Sequence, residues 1–201
     1  MTAQARSRDT TIARVAVGLG VVALTTFVIL LAFFTWGGAL GFVNDAGNAL
    51  IGVLAASLAA LRHRPGEATL GVLAAGTGGA IAVVGSWLVM TGTTGFVVAG
   101  FVSSVGFGLI GAWLGSLAWS TASDAWPPAV RRTGRAASAL MAAGGLVAVA
   151  GVIGAYDSYE SMPPWLWLFA ISWIGTYLVL PAWAIGFGRV ALRAEEPPWT
   201  S

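Results

Sequence analysis

One carboxylate in this sequence lies where a carboxylate is costly. Asp45 stands near the start of a long apolar stretch, and a charged side chain at the centre of a bilayer costs roughly 2.5–3.5 kcal/mol. Asn44 and Asn48 are one helical turn apart, and Asp45 is within about 100° of them, so a helix presents all three in one sector. A carboxylate beside two amides is suited to binding a proton, a cation or a polar headgroup.

The same three residues also permit a structural interpretation. Counting back about 20 residues from Leu61, the length that spans a bilayer, reaches Phe42. This count places Asn44 and Asp45 in the first turn of a helix, where Asn and Asp cap free backbone N–H groups and favour the positive end of the helix dipole. Two hypotheses therefore stay open, namely capping and packing, or a ligand or proton site.

The other charged residues indicate loops and a lipid surface. Asp157 and Glu160 fall in a short polar connection, where solvation is the favoured interpretation and the collection of cations or contact with a partner is the alternative. Arg131, Arg132 and Arg135 lie close together in another connection. Near an anionic leaflet each basic residue contributes about 1 kcal/mol, so these three are candidate contacts for anionic lipid headgroups, unless they serve only to orient the chain during insertion. Three arginines are too few to indicate nucleic acid, and no nucleic-acid partner is predicted.

The residue types that are missing exclude several kinds of chemistry. The chain has no cysteine and no lysine, and its single histidine is His63. Thiolate metal sites, disulfides, Schiff bases and a P-loop lysine are therefore impossible, as is a site built from several histidines. Neither a G-x-S-x-G nor an H-E-x-x-H motif occurs. We predict a protein that is not an enzyme and that uses no cofactor or metal.

Composition predicts that membrane-spanning helices position these residues. Of the 201 residues 57% are hydrophobic and only 9% are charged, whereas soluble domains carry about 25% charged residues. Uninterrupted apolar runs long enough to cross about 30 Å of hydrocarbon number six. They cover residues 15–36, 42–61, 68–90, 95–119, 136–156 and 165–187 of one transmembrane domain. The first is expected to be retained, because it is longer than the 7–15 apolar residues of a cleaved signal.

The arginines predict which side each connection faces. The N-terminus, the 62–67 turn, the 120–135 loop and the C-terminal tail hold three, two, three and two arginines, which together are all ten. Positively charged connections are retained on the cytoplasmic side during insertion, so both termini are expected in the cytoplasm. Arginine in place of lysine, with abundant Ala, Gly and Val, indicates a GC-rich bacterial genome and hence a bacterial plasma membrane.

Tryptophans mark the expected membrane boundaries. Indole rings favour the headgroup level, and Trp119, Trp126 and Trp183 fall at predicted cytoplasmic ends of spans. Trp113 and Trp173 fall deeper. We expect each of these two to have a partner for its indole N–H, or a polar neighbour.

Pro181 interrupts the sixth span. Proline has no backbone N–H and clashes with the carbonyl four residues earlier, which predicts a kink at this point. Thr176 and Tyr177 lie one turn earlier and are expected to hydrogen-bond the backbone groups that the proline frees.

Small residues predict how the helices pack. Apolar burial does not drive helices together inside lipid, and small side chains let backbones approach closely. In the fourth span such residues recur every four positions and form a candidate packing stripe of Gly100, Ser104, Gly108, Ala112 and Ser116.

Two functional hypotheses follow from these patterns. The favoured one is a non-catalytic accessory or assembly subunit that packs against other membrane proteins, or against itself, through the stripe. The alternative is a small proton- or cation-coupled transporter or channel that uses Asp45 with Asn44 and Asn48. The lipid bilayer is the partner common to both hypotheses.

Overall fold

The computed structural model describes residues 3–63 and 69–193, and within these ranges it is helical with no strand. Each of six helices has the length and apolar composition needed to cross a membrane, which confirms the predicted all-α six-helix bundle of a multi-pass membrane protein. The helices are α1 (Ala3–Trp36), α2 (Leu40–Arg62), α3 (Thr69–Met90), α4 (Phe96–Ala118), α5 (Pro128–Gly154) and α6 (Pro164–Arg193).

The helices extend beyond several of the predicted spans. Helix α5 begins at Pro128 rather than at residue 136. Proline is well tolerated at the first position of a helix, because a backbone N–H there has no partner within the helix. A short 3₁₀ turn, Thr121–Ala125, precedes it. Residue 68 and most of the predicted 62–67 turn, including Arg64, lie outside the described residues.

The six helices form a closed ring. Each helix packs against its neighbours in the sequence, and α6 returns to pack along α1. Helix α4 is the most enclosed of the six, with 67% of an 18-residue apolar stretch buried, and it also contacts α2 across the ring. A side chain that points inward from any of these helices therefore meets side chains of several others.

Pairs of glycines allow neighbouring helices to approach closely. A Cβ on Gly108 would lie 2.9 Å from the Cα of Gly145, and a Cβ on Gly145 would lie 2.5 Å from the Cα of Gly108. The same reciprocal arrangement occurs at three successive interfaces, through Gly52 and Gly79, Gly78 and Gly106, and Gly108 and Gly145. This is the close backbone packing that stabilises helix pairs in lipid.

Helix α6 changes its winding before Pro181. It begins as a 3₁₀ helix, Pro164–Ala170, and contains a π-helical segment, Gly175–Val179, in which the N–H of Leu180 donates to the carbonyl of Gly175. The predicted role of the Thr176 hydroxyl is wrong, because that buried hydroxyl has no hydrogen-bond partner among the described residues. A π-helical segment lies shortly before Pro181 instead, and π-helical turns are frequent at functional sites.

Arginines join helix ends at one end of the bundle. Arg8 of α1 donates to the carbonyl of Leu61 at 2.8 and 3.1 Å and to that of His63 at 2.7 Å. Arg135 of α5 donates to the carbonyl of Ala118, the last residue of α4, at 2.9 Å. A cation at a helix C-terminus satisfies free carbonyls and favours the helix dipole. We call this the arginine end of the bundle.

Trp183 lies near the arginine end but faces the interior. It is fully buried, and its ring stacks on Phe187 and meets Trp113 edge-on. Trp119 is 56% exposed and lies at the surface, as an interfacial tryptophan should. The prediction that Trp183 marks the headgroup level is wrong, because the helix turns this ring into the core.

Candidate functional site

Asp45 and its amide neighbours lie inside the bundle rather than at a helix end. Helix α2 begins at Leu40 with Ala39 in the N-cap position, and no side chain caps it. Asn44 and Asp45 are therefore past the first turn, and they are only 1% and 8% exposed. Of the capping and packing interpretation, the capping part is wrong, because α2 begins at Leu40, two residues before Phe42, where the count of residues had placed its start.

A chain of three hydrogen bonds connects α1, α2 and α6. The Asn44 side-chain amide donates to the carbonyl of Thr26 at 3.2 Å, and the Asn48 amide donates to Asn44 Oδ1 at 3.3 Å. The Tyr177 hydroxyl donates to Asn48 Oδ1 at 2.6 Å. The predicted sector of Asn44, Asp45 and Asn48 is thus present, and its two amides are held in place by hydrogen bonds across the bundle.

The Asp45 carboxylate borders a small cavity inside the ring. It makes no hydrogen bond or ion pair with any residue that the structure describes. The cavity has a volume of about 20 Å³, and about 10–15 Å³ is enough for one water molecule. Five of the six helices line it, through Leu30, Asp45, Asn48, Gly85, Phe96, Ala99, Gly100, Ser103, Phe107, Trp173 and Tyr177. None of these lining residues carries a positive charge.

Two aromatic residues of α6 complete the site, and sequence patterns did not assign them to it. Tyr177 was expected to serve the backbone near Pro181, but its hydroxyl binds Asn48. Trp173 donates its indole N–H to the Ser104 hydroxyl at 3.0 Å, which confirms that this deep tryptophan has a hydrogen-bond partner. The interruption at Pro181 was the available signal, since it marks the stretch of α6 that carries both rings.

The predicted packing stripe divides between the interior and the surface. Ser104 is fully buried, and Gly108 packs on Gly145 of α5. Gly100 is partly exposed and borders the cavity, whereas Ala112 and Ser116 are exposed. The centre of the stripe is therefore used within the chain itself.

The three clustered arginines differ in their surroundings. Arg131 forms a 2.8 Å ion pair with Asp124, and Arg135 binds the end of α4, while Arg132 is exposed. Contact with anionic lipid headgroups stays a prediction for this cluster. Arg132 is the most solvent-exposed of the three arginines and is therefore the most accessible to a headgroup.

The loop at the end of the bundle opposite the arginines has its own aromatic contact. Tyr159 stacks on Trp167 with 4.9 Å between ring centroids, and burial raises the pKa of Tyr159. Asp157 and Glu160 in the same loop are exposed, as expected for solvated charges. Among the described residues, no group of three His, Cys, Asp or Glu side chains is placed to hold a metal ion.

Comparison of the chain with protein-family models, with curated proteins and with solved structures finds no match. Sequence and structure together show a multi-pass membrane protein built as a six-helix bundle. Its function is therefore inferred from the geometry around Asp45.

Proposed function

We propose that this protein is a small transporter or channel in which Asp45 binds a proton or a monovalent cation. The observation that carries the proposal is a buried carboxylate, without a partner among the described residues, beside a cavity inside the ring. Ionisable side chains within membrane spans commonly belong to ion or proton pathways, because a charged group in the hydrocarbon is costly and is rarely retained without a function.

The sign of the charge supports a cation rather than an anion. Asp45 is the only carboxylate among the residues that line the cavity, and the described arginines that make contacts do so at the arginine end. Uptake of a proton or a monovalent cation neutralises the carboxylate and lowers its cost in hydrocarbon. The hydroxyl and amide groups of Ser103 and Asn48 supply further oxygen atoms at the cavity wall.

The test is charge movement by the purified protein. Proteoliposomes adsorbed to a solid-supported membrane are expected to give a current when external choline chloride is replaced by an acidic solution or by Na⁺, K⁺ or ammonium chloride. At least one of these four cations should exceed the signal of protein-free liposomes. Currents equal to the protein-free signal for all four would contradict the proposal.

We also propose that the protein resides in a bacterial plasma membrane with both termini in the cytoplasm. The arginine contacts at one end of the bundle support this orientation. The chain contains no cysteine, so one introduced thiol reports on one position. In intact cells a membrane-impermeant maleimide is expected to label Ser158→Cys and to leave Ala125→Cys unlabelled. The reverse pattern would overturn the orientation.

An assembly subunit is the second proposal, and the surface of α4 favours it. Ala112 and Ser116 are exposed near the arginine end, where a second helix is able to approach closely. Another membrane protein that co-purifies in fixed stoichiometry from mild detergent, and is lost in Ala112→Leu, would support this role. A protein that is always recovered alone would contradict it.

A further inference from the structure

We infer that the cavity beside Asp45 is a site for an ammonium ion. This inference deepens the proposed function, on which it rests, by naming the cation that Asp45 would bind. It draws on three observations, namely the hydrogen-bond acceptors, the aromatic rings and the size of the cavity.

The first observation is a set of acceptors for N–H donors. Asp45 has a carboxylate that no described residue engages, and the hydroxyl of Ser103 borders the same space. Asn48 Oδ1 accepts one hydrogen bond from Tyr177 and retains a second lone pair. An ammonium ion has four donors and no acceptor, so it complements a wall that offers acceptors and negative charge.

The second observation is that four aromatic rings line the cavity, those of Phe96, Phe107, Trp173 and Tyr177. The indole N–H of Trp173 and the hydroxyl of Tyr177 are already engaged by Ser104 and Asn48. The N–H and O–H donors of these two residues are therefore not available to a ligand. Aromatic rings attract ammonium groups through cation–π contacts, and the attraction is larger in a desolvated site.

The third observation is that the volume of the cavity suits a single small ion. A cavity of about 20 Å³ holds one body of the size of a water molecule, which an ammonium ion matches once it sheds its hydration shell. A quaternary ammonium group is too large, whereas dehydrated K⁺ is of similar size, so the acceptors and the aromatic rings, not size, favour ammonium over K⁺. Hard cations such as Mg²⁺ and Ca²⁺ take six or more oxygen ligands, whereas four of the eleven residues that line this cavity are aromatic.

Binding is tested on the full-length protein purified in detergent. Thermal unfolding is followed while ammonium chloride replaces choline chloride at constant ionic strength, with KCl and NaCl as matched titrations. A ligand that binds only the folded state raises the unfolding temperature in proportion to ln(1 + [L]/Kd). Ammonium is expected to bind at least tenfold more tightly than K⁺ or Na⁺, and equal shifts for ammonium and K⁺ would overturn the inference.

Variants assign the binding to the cavity. Asp45→Asn is expected to weaken apparent ammonium affinity at least tenfold, whereas Asp157→Asn, in the exposed loop, is expected to leave it unchanged. Phe96→Leu keeps an apolar side chain but removes a ring from the wall, and a loss of about threefold or more is expected from cation–π energies. Ammonium affinity unchanged in both Asp45→Asn and Phe96→Leu would overturn the site.

The current measurement separates this inference from the proposed function. Currents carried by protons or K⁺, without selective ammonium binding, would support transport and overturn the ammonium site. Selective ammonium binding that depends on Asp45, without current from any cation, would support the site and overturn transport.

Discussion

Replacing Asp45 with asparagine is expected to reduce the cation current of the reconstituted protein by more than about tenfold, which corresponds to a rise of at least about 1.4 kcal/mol in the barrier to transport. Asparagine has nearly the same shape as aspartate, so the contacts of α2 are retained. It neither takes up a proton at physiological pH nor carries the charge that pairs with a cation. The measurement is the solid-supported membrane current at saturating cation.

Two further variants make this result specific to the buried carboxylate. Asp157→Asn removes an exposed carboxylate and is expected to leave the current unchanged. Asp45→Asn is expected to unfold at the same temperature as the native protein or higher, because it removes a buried charge without a described partner. An undiminished current in folded Asp45→Asn would rule out a coupling role for this residue.

Replacing Gly145 with leucine is expected to destabilise the bundle by about 2–3 kcal/mol. A Cβ at this position would already lie 2.5 Å from the Cα of Gly108 and 2.9 Å from the carbonyl oxygen of Ser104. These are backbone atoms of the most enclosed helix, so the interface has to widen rather than adjust a side chain. Unfolding in mixed micelles of increasing SDS fraction measures the change.

Gly76 provides the matched control for this substitution. It also lies within a helix, α3, but a Cβ there would meet no atom within 4 Å. Gly76→Leu is expected to be neutral or to stabilise by up to about 1 kcal/mol, because leucine has the better helix propensity. Equal destabilisation by the two leucines would contradict the role assigned to the contact between Gly108 and Gly145.

The number and type of helices were predictable because they depend on local properties of the chain. Hydropathy over about 20 residues decides whether a segment is long enough to span a bilayer. The sector formed by Asn44, Asp45 and Asn48 follows from the helical period alone, and the structure retains it. The start of α2 was misplaced because helices extend beyond the hydrocarbon, so a count of apolar residues does not locate their caps.

The remainder of the site depends on contacts between distant parts of the chain. Tyr177 and Asn48 are 129 residues apart, and nothing local predicts that these side chains meet. The crossing of α4 over α5 decides which small residues are enclosed, so Gly111 packs against Met141 while the neighbouring Ala112 is exposed. Trp183 is buried for the same reason, since a ring near a helix end faces lipid or core according to the rotation of its helix.

The closure of the ring by α6 sets the order in which the site is assembled during biosynthesis. The ribosome releases the N-terminal part of a chain first. Helix α1 is therefore made before α2 to α5, and its contact with α6 forms only after all of these have been synthesised. Asp45 is inserted with α2, whereas Trp173 and Tyr177 arrive later with α6. A nascent chain halted after α5 therefore leaves Asn48 without the tyrosine hydroxyl, and the cavity beside Asp45 is completed only once α6 has been inserted.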